Sequence, residues 1–219
     1  NFFRFLNLNV EVIDSDPTKK LVTPKLNRSL PKFMLEEECI ALLNSIGGTN
    51  KERDYCIFVL FINSGIRLSE LVGLNDTDID RQGDVVIRGK GSKERRIIFN
   101  KACLEALAEY EKFKEIHYQN KERDRDAVFV GRTGKRLTAR RIEQIVKQRI
   151  TAAGFGGRAL SPHKLRHTAA TVMYRRGVDI RALQQILGHE SLGTTQIYTH
   201  VSDAQITEAM TQSPIGRTN

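Results

Sequence analysis

The chain has 219 residues, and its 35 lysines and arginines outnumber its 26 aspartates and glutamates by nine, which gives a net charge of +9. A hydrophobic fraction of 40% argues against disorder, and no segment approaches the roughly 20 apolar residues of a membrane-spanning helix. The positive surplus favours a polyanionic partner without deciding it. Three cysteines without a CxxC pair indicate a reducing compartment and argue against a cysteine zinc site.

The N-terminal region differs in character from the rest of the chain. Residues 1–8 form an apolar stub, and the polar stretch that follows contains Pro17, Pro24 and Pro31. Such a composition is typical of a linker. We therefore predict that residues 1–31 are the remnant of a truncated N-terminal domain plus its linker, followed by a main domain over 32–200 and a tail over 201–219.

The main domain is predicted to be mostly helical. Hydrophobic spacing predicts helices over 35–46, 54–63, 69–73, 101–118 and 138–153. A change to alternating spacing predicts a β-hairpin of 85–88 and 96–99, and a single short strand is expected over 128–130. The predicted fold class is mainly α (α+β), with a small antiparallel sheet.

One of these helices is strongly basic. The helix over 138–153 carries Arg140, Arg141, Lys147 and Arg149, opposed by Glu143, on the side away from its apolar face. Two interpretations stay open at this point. It is either a solvated surface helix or a helix that lies against a phosphate backbone.

The C-terminal part of the chain predicts two further helices. Ser161 and Pro162 have the residue types of a helix cap and a first helical position, and this helix runs to Gly177. Near its start, His163 and Arg166 share a face, where an imidazole, a guanidinium and the helix dipole together suit a phosphate. His163 and His167 have the spacing of a helical zinc site, but the glutamate of that motif is missing, which disfavours a metalloprotease.

The next helix is capped by Asp179 and stops at Gly188, directly before His189, and Tyr198 follows nine residues later. From His163 to Tyr198, the order and spacing resemble the C-terminal signature of the tyrosine recombinases, also called phage-type integrases. Upstream, 64–71 resembles the first arginine motif of that family, and 89–95 resembles the hairpin that carries its lysine. The resemblance extends from about 32 to 202, and among branches it is strongest to the bacterial Xer-type enzymes and integrases of mobile elements.

The resemblance implies a set of catalytic residues that meet in one basic cleft. They are Arg67, Lys90, His163, Arg166, His189 and Tyr198, with Glu70 in support. Tyr198 would be the nucleophile and Lys90 the general acid, with Lys93 as its competitor. Glu70 would orient the site by hydrogen bonding, unless it is simply a helix-surface carboxylate. The residues expected to contact DNA are Lys93, Arg95, Arg140, Arg141 and Lys147, whereas His167 and His200 are interpreted as structural.

The resemblance also implies the reaction and the partners. The expected function is site-specific recombination of double-stranded DNA through a 3′-phosphotyrosyl intermediate, without a metal or another cofactor, in the bacterial cytoplasm at the nucleoid. The expected assembly is a tetramer on DNA, or a pair with a second recombinase. The tail is expected either to dock on a neighbouring protomer or to pack back on its own domain. The alternatives are relaxation of DNA by a type IB topoisomerase and a noncatalytic helix-turn-helix regulator built on the two C-terminal helices.

Overall fold

The structure is a computed structural model that describes residues 2–10, 12–15, 17–18, 33–88, 94–119 and 122–188. The chain divides into two compact units, Asn1–Pro31 and Lys32–Asn219. The first unit contains α1 (Phe2–Leu8), where the Asn7 side chain donates a hydrogen bond to the Ile13 carbonyl at 2.8 Å. In the described segments, no helix combines the length and the apolar character that a membrane span requires.

Within its described segments, the second unit contains seven α-helices, one antiparallel hairpin, a 3₁₀ turn (Asp76–Asp78) and a π-helical turn (Thr151–Phe155). The helices are α2 (Glu36–Ser45), α3 (Lys51–Ser64), α4 (Leu68–Gly73), α5 (Lys101–His117), α6 (Ala139–Ile150), α7 (Pro162–Arg175) and α8 (Ile180–Leu187). The hairpin strands are β1 (Asp84–Arg88) and β2 (Glu94–Ile98), with Val85 opposite Ile97 and Ile87 opposite Arg95. The predicted mainly helical fold with a small antiparallel sheet is confirmed.

Helix α3 forms the centre of this unit. Its residues 56–64 are all fully buried, and it packs against both α5 and α7. The helix ends at Gly65, where φ is +61° and a Cβ atom would lie 2.8 Å from Cδ2 of Leu187. A glycine is therefore required by both backbone conformation and space, and it lets the end of α3 approach the end of α8 closely.

The prediction of a strand over 128–130 is wrong, because this segment does not form a strand. The segment is apolar because it is buried, but it forms isolated bridges, Ala127 with Asn75 and Val130 with Arg136. The two bridges join the segment to two separate parts of the chain, near Asn75 and near Arg136. The Val130 amide donates a hydrogen bond to the Tyr110 hydroxyl at 3.2 Å. A continuous ladder never develops, although the buried amides find partners.

The last two described helices pack on each other around a small apolar cluster. Met173 of α7 contributes to it together with Leu183 and Ile186 of α8. The predicted caps are present, since the Ser161 hydroxyl accepts from the Lys164 amide and the Asp179 carboxylate accepts from two amides of α8. This packing fixes the carbonyl end of α8 beside the end of α3 and the start of α4.

Candidate active site

Arg67 and Glu70 form the first part of the site. Arg67 directly precedes α4, and Glu70 lies in its first turn. The Arg67 amide donates to Glu70 Oε2 at 2.8 Å, and Arg67 Nη1 donates to Glu70 Oε1 at 2.8 Å. The Glu70 side chain is 5% exposed and that of Arg67 is 40% exposed. Glu70 is therefore not a surface carboxylate: it is buried and holds an arginine that reaches solvent.

Guanidinium groups from separate elements meet at the carbonyl end of α8. Arg67 donates to the Gly188 carbonyl. Arg95 of β2 donates to the carbonyl of Ile186, and Arg166 of α7 to that of Leu187. The last carbonyls of a helix have no partner within the helix and carry the negative end of its dipole. That end of α8 therefore favours a cluster of cations.

Arg166 is the most enclosed of these arginines. Its residue is 7% exposed, and its second terminal nitrogen donates to the Gly65 carbonyl. Burial lowers the pKa of Arg166 to about 10, helped by the positive charges of Arg67 and Arg95 and opposed by the charge of Glu70. The group remains cationic at neutral pH, since even the lowered pKa lies well above 7.

Arg95 lies deeper than the sequence indicated. It was grouped with the DNA-contacting residues, yet its side chain is 18% exposed and its Nη2 donates to Glu70 Oε2 at 2.8 Å. Its neighbour Arg96 is 66% exposed and pairs with Asp84. The alternation of a strand contains the missing signal, because Arg95 falls in phase with the buried Ile97. The predicted strand began one residue too late to include it.

The charges of this cluster do not cancel. Burial is the largest influence on Glu70 and acts to raise its pKa, but hydrogen bonds from Arg95 and Arg67 outweigh burial and lower the pKa below 4.5. Glu70 is therefore ionised at neutral pH. Among the described residues, the charges of Arg67, Arg95 and Arg166 together exceed that of Glu70 by two. Such a surplus, with Arg67 partly exposed, is suited to an anion such as a phosphodiester.

The described histidines of α7 occupy different environments. His163 is exposed in the first turn of α7, three residues before Arg166 on the same helix. His167 is half-buried and packs edge-on against Phe33, with ring centroids 6.1 Å apart. Burial lowers the pKa of His167, with smaller effects from Lys164 and His163. The packing supports a structural interpretation of His167.

The remaining predicted catalytic residues lie outside the described residues, as does the tail over 201–219. These residues are Lys90, His189 and Tyr198. Lys93 and His200 are outside as well. Their convergence with Arg67 and Arg166 stays a prediction. In the sequence, His189 directly follows Gly188, whose carbonyl accepts from Arg67.

The basic helix α6 combines two kinds of arginine. Arg140, Arg141 and Lys147 are exposed, as residues that contact DNA must be, and this role stays a prediction. Arg149 instead binds the buried Asp54 through two nitrogens, at 2.8 and 2.6 Å. Only part of the basic surplus of this helix is therefore available at the surface.

The three cysteines of the chain lie in its apolar core. Cys39, Cys56 and Cys103 are free and buried. Burial raises their pKa values, that of Cys39 to about 12, so all three thiols are protonated at neutral pH. The described residues contain no cluster of three or more histidine, cysteine, aspartate or glutamate side chains that could hold a metal ion.

The chain matches the model of the phage integrase family over residues 32–205. It is 43% identical to a tyrosine recombinase XerC from Caldanaerobacter subterraneus subsp. tengcongensis, over 99% of this chain and 61% of the relative. It is 41% identical to a XerC from Corynebacterium efficiens, over 92% of this chain and 64% of the relative. The chain thus spans less than two thirds of the length of these relatives.

Solved structures give the same result for the fold. The crystal structure of XerA recombinase matches with a TM-score of 0.67 and 33% identity, over 82% of this chain and 64% of that chain. XerH site-specific recombinase bound to its difH substrate, in a pre-cleavage complex, matches with a TM-score of 0.65 and 27% identity, over 78% and 50%.

Proposed function

The chain belongs to the phage integrase family, and from that premise we propose that it is the catalytic part of a site-specific DNA recombinase. The observation that carries the proposal is the placement of Arg67 and Arg166 on consecutive carbonyls at the end of α8, directly before His189. Two cations held at the carbonyl end of α8, in a cluster with a surplus of positive charge, suit a scissile phosphate. The names of the similar proteins favour recombination over relaxation of DNA or passive regulation.

The reaction uses each residue type for a physical reason. Attack on a phosphodiester builds negative charge on the nonbridging oxygens, which the forks of Arg67 and Arg166 stabilise. Tyr198 is the nucleophile, and because an unperturbed tyrosine has a pKa of about 10, it requires a base to take its proton. His163 is that base, and His189 adds a hydrogen bond to the phosphate.

Cleavage and rejoining are the same step in opposite directions. The phenolic oxygen of Tyr198 forms a bond to phosphorus, and the bond from phosphorus to the 5′ oxygen breaks. Lys90, with Lys93 as its competitor, gives that oxygen a proton. The phosphotyrosyl bond keeps the energy of the phosphodiester, so rejoining to a new 5′ hydroxyl consumes neither ATP nor a metal ion.

The partners follow from this function. The chain acts on double-stranded DNA at specific sites, at the bacterial nucleoid, with residues 32–200 as the catalytic domain and residues 1–31 as the end of a DNA-clamping domain plus its linker. Two cleaved duplexes exchange strands within a tetramer of this chain, or of this chain and a second recombinase. The process served is resolution of chromosome dimers or movement of an integrative element.

The test is covalent trapping on DNA. The protein is incubated with nicked suicide duplexes that carry candidate recombination sites, beside the Tyr198→Phe variant, and run on a denaturing gel. We expect a slower band that contains protein and DNA and that disappears in the variant. DNA binding in the same tubes without any covalent band would instead indicate a noncatalytic DNA-binding protein, and a two-site assay separates recombination from relaxation.

A further inference from the structure

We propose that Arg95 is a positioning residue of this reaction, which orients Arg67 through Glu70 and fixes the end of α8 through the Ile186 carbonyl. The inference rests on the proposed function. It assigns to Arg95 a role within the site instead of a contact with DNA.

The hydrogen bonds of Glu70 are the first part of the argument. Oε1 accepts from Arg67 Nη1 at 2.8 Å and from Arg95 Nε at 3.4 Å. Oε2 accepts from the Arg67 amide and from Arg95 Nη2, both at 2.8 Å. The terminal torsion of a glutamate is broad, so the single hydrogen bond from the Arg67 amide leaves the carboxylate plane free to turn. The Nε and Nη2 groups of Arg95 fix that plane, and the Arg67 guanidinium takes its orientation from the carboxylate.

The guanidinium of Arg95 also spans two elements. While Nε and Nη2 bind Glu70, Nη1 donates to the Ile186 carbonyl in the last turn of α8. All three nitrogens are therefore engaged within the protein. A lysine could reproduce the charge but not this planar fork together with the third contact.

The end of α8 has room for this arrangement because Gly188 lacks a side chain. A Cβ atom at Gly188 would lie 2.8 Å from Cδ and 3.0 Å from Nε of Arg95, and 3.4 Å from Nη1 of Arg67. Gly188 also has a φ of +60°. A side chain at position 188 would collide with Arg95. The contact between Arg95 and the Ile186 carbonyl therefore depends on the glycine at the end of α8.

Arg95 further connects the site with the hairpin that carries the candidate general acids. It lies on β2 opposite Ile87 of β1, and Lys90 and Lys93 fall between these two strands in the sequence. Its contacts with Glu70 and Ile186 tie that hairpin to α4 and α8. Arg95 thus links three elements: α4, which follows Arg67, the strand pair that flanks the lysines in the sequence, and α8, which ends shortly before His189 in the sequence.

A phosphate contact would have a different signature. A residue that binds DNA directly contributes to affinity and to the salt dependence of binding. A residue that orients Arg67 contributes to the first-order cleavage rate at saturating DNA. The two roles can therefore be separated by measuring DNA affinity and cleavage rate for the same variants.

The experiment measures single-turnover cleavage of the suicide duplex at saturating protein for the wild type, Arg95→Ala, Arg95→Lys and Arg96→Ala. We expect Arg95→Ala to lower the rate about 10- to 100-fold, which is the scale of a misplaced catalytic group, with DNA affinity and its salt dependence nearly unchanged. The cleavage rate of Arg95→Lys should lie between those of the wild type and Arg95→Ala. Arg96→Ala, a matched arginine on the exposed face of β2, should cleave like the wild type.

A double-mutant cycle tests the route through Glu70. If Arg95 acts largely through Glu70, the effect of Arg95→Ala should be smaller in a Glu70→Gln background, because only the contact with the Ile186 carbonyl is then left to lose. Independent, additive losses of rate would overturn the proposed route.

The pH profile gives a second readout. Among the described residues, the charged groups that face Glu70 are Arg67, Arg95 and, more distantly, Arg166. Removing Arg95 takes away a cation that lowers the pKa of Glu70, so the carboxylate should protonate at higher pH and release Arg67. We expect the acid limb of the cleavage rate to move to higher pH in Arg95→Ala, and to be unaffected by Arg95→Ala when Glu70 is Gln.

The outcomes separate the inference from the function on which it rests. A wild type without any adduct overturns the proposed function, and this inference with it. A wild type that cleaves, beside an Arg95→Ala that cleaves equally fast or loses only affinity, overturns the inference alone. Thermal unfolding checks that each variant is folded, and if Arg95→Ala is not, a fully active Arg95→Lys overturns the inference.

Discussion

Two buried carboxylates of this chain each hold arginines, yet they have opposite characters. Asp54 binds Arg53 through one oxygen, at 2.9 and 2.8 Å, and Arg149 through the other, at 2.8 and 2.6 Å. Glu70 binds Arg67 and Arg95 through both oxygens. The Asp54 and Glu70 side chains are equally buried, at 5% exposure.

The difference lies in what the arginines do next. The side chain of Arg53 is 6% exposed and that of Arg149 is 24% exposed. Each donates two hydrogen bonds to one oxygen of Asp54, and the pair with Arg149 connects α3 to α6. Arg67 is 40% exposed and extends from Glu70 to the end of α8. The ion pairs of Asp54 lie mostly inside the protein and stabilise the fold. The ion pair of Glu70 instead holds an arginine that faces solvent and can bind a ligand.

The largest expected effect comes from breaking the Glu70 cluster at its exposed arginine. Arg67→Ala should lower the rate of DNA cleavage by about 10²- to 10³-fold, the scale of one lost transition-state donor, with little change in the melting temperature. Single-turnover cleavage and thermal unfolding measure the two quantities. Arg149→Ala is the matched control and should show the reverse, a lower melting temperature with near-normal cleavage by the folded protein.

The second prediction breaks the Asp54 cluster. Asp54→Asn leaves the buried Arg53 without its anionic partner and should lower the free energy of unfolding by about 3 kcal/mol. Denaturant titration measures the loss. Cleavage by the folded variant should remain close to that of the wild type, and a large loss of rate at full folding would show that the two clusters do not divide the roles as argued.

The third prediction sharpens the geometry at the end of α3. Gly65→Ala should cost about 1–2 kcal/mol of stability and also lower the cleavage rate, because its Cβ would displace Leu187 beneath the arginines. Gly154→Ala is the control, since φ is +85° there but nothing lies within 4 Å of the added atom. Equal cleavage by the two variants would contradict a role of Gly65 in placing α8.

The smallest expected effect is on the pH dependence of stability. The pKa of Glu70 is lowered in the folded state, so its contribution to stability is present above 4.5 and is lost as the pH falls through the lower folded value. Glu70→Gln should therefore make the acid side of the stability curve flatter. Urea unfolding between about pH 5 and pH 3 measures the slope, and curves of the same shape would contradict the prediction.

The fold was largely predictable because its signals are local. Helix spacing, the caps Ser161 and Asp179 and the stop at Gly188 all depend on neighbouring residues in the sequence. The strand over 128–130 was not predictable as it is, because burial and strand formation leave the same apolar pattern. Only the tertiary partners decide between them.

The site was predictable in its residue types but not in its connections. Motif order indicated Arg67 and Arg166, and Glu70 was expected to orient the site by hydrogen bonding, without a named partner. The capture of guanidinium groups by the carbonyls of α8 had no signal in the sequence, because it depends on where the end of a helix lies in space. The internal contacts of Arg95 had no local signal for the same reason, since its partners are 25 and 91 residues away.

Those long separations have a consequence for how the protein reaches its working state. The carbonyl end of α8 joins Arg67 across 121 residues and Arg95 across 91, and Gly65 joins Arg166 across 101. Contacts between such distant parts of a chain form late in folding, after the intervening segments are in place. Arg67 and Arg95 are synthesised long before the end of α8, whereas Arg166 precedes its partner Leu187 by only 21 residues. The arginine cluster therefore cannot form until α8 is complete.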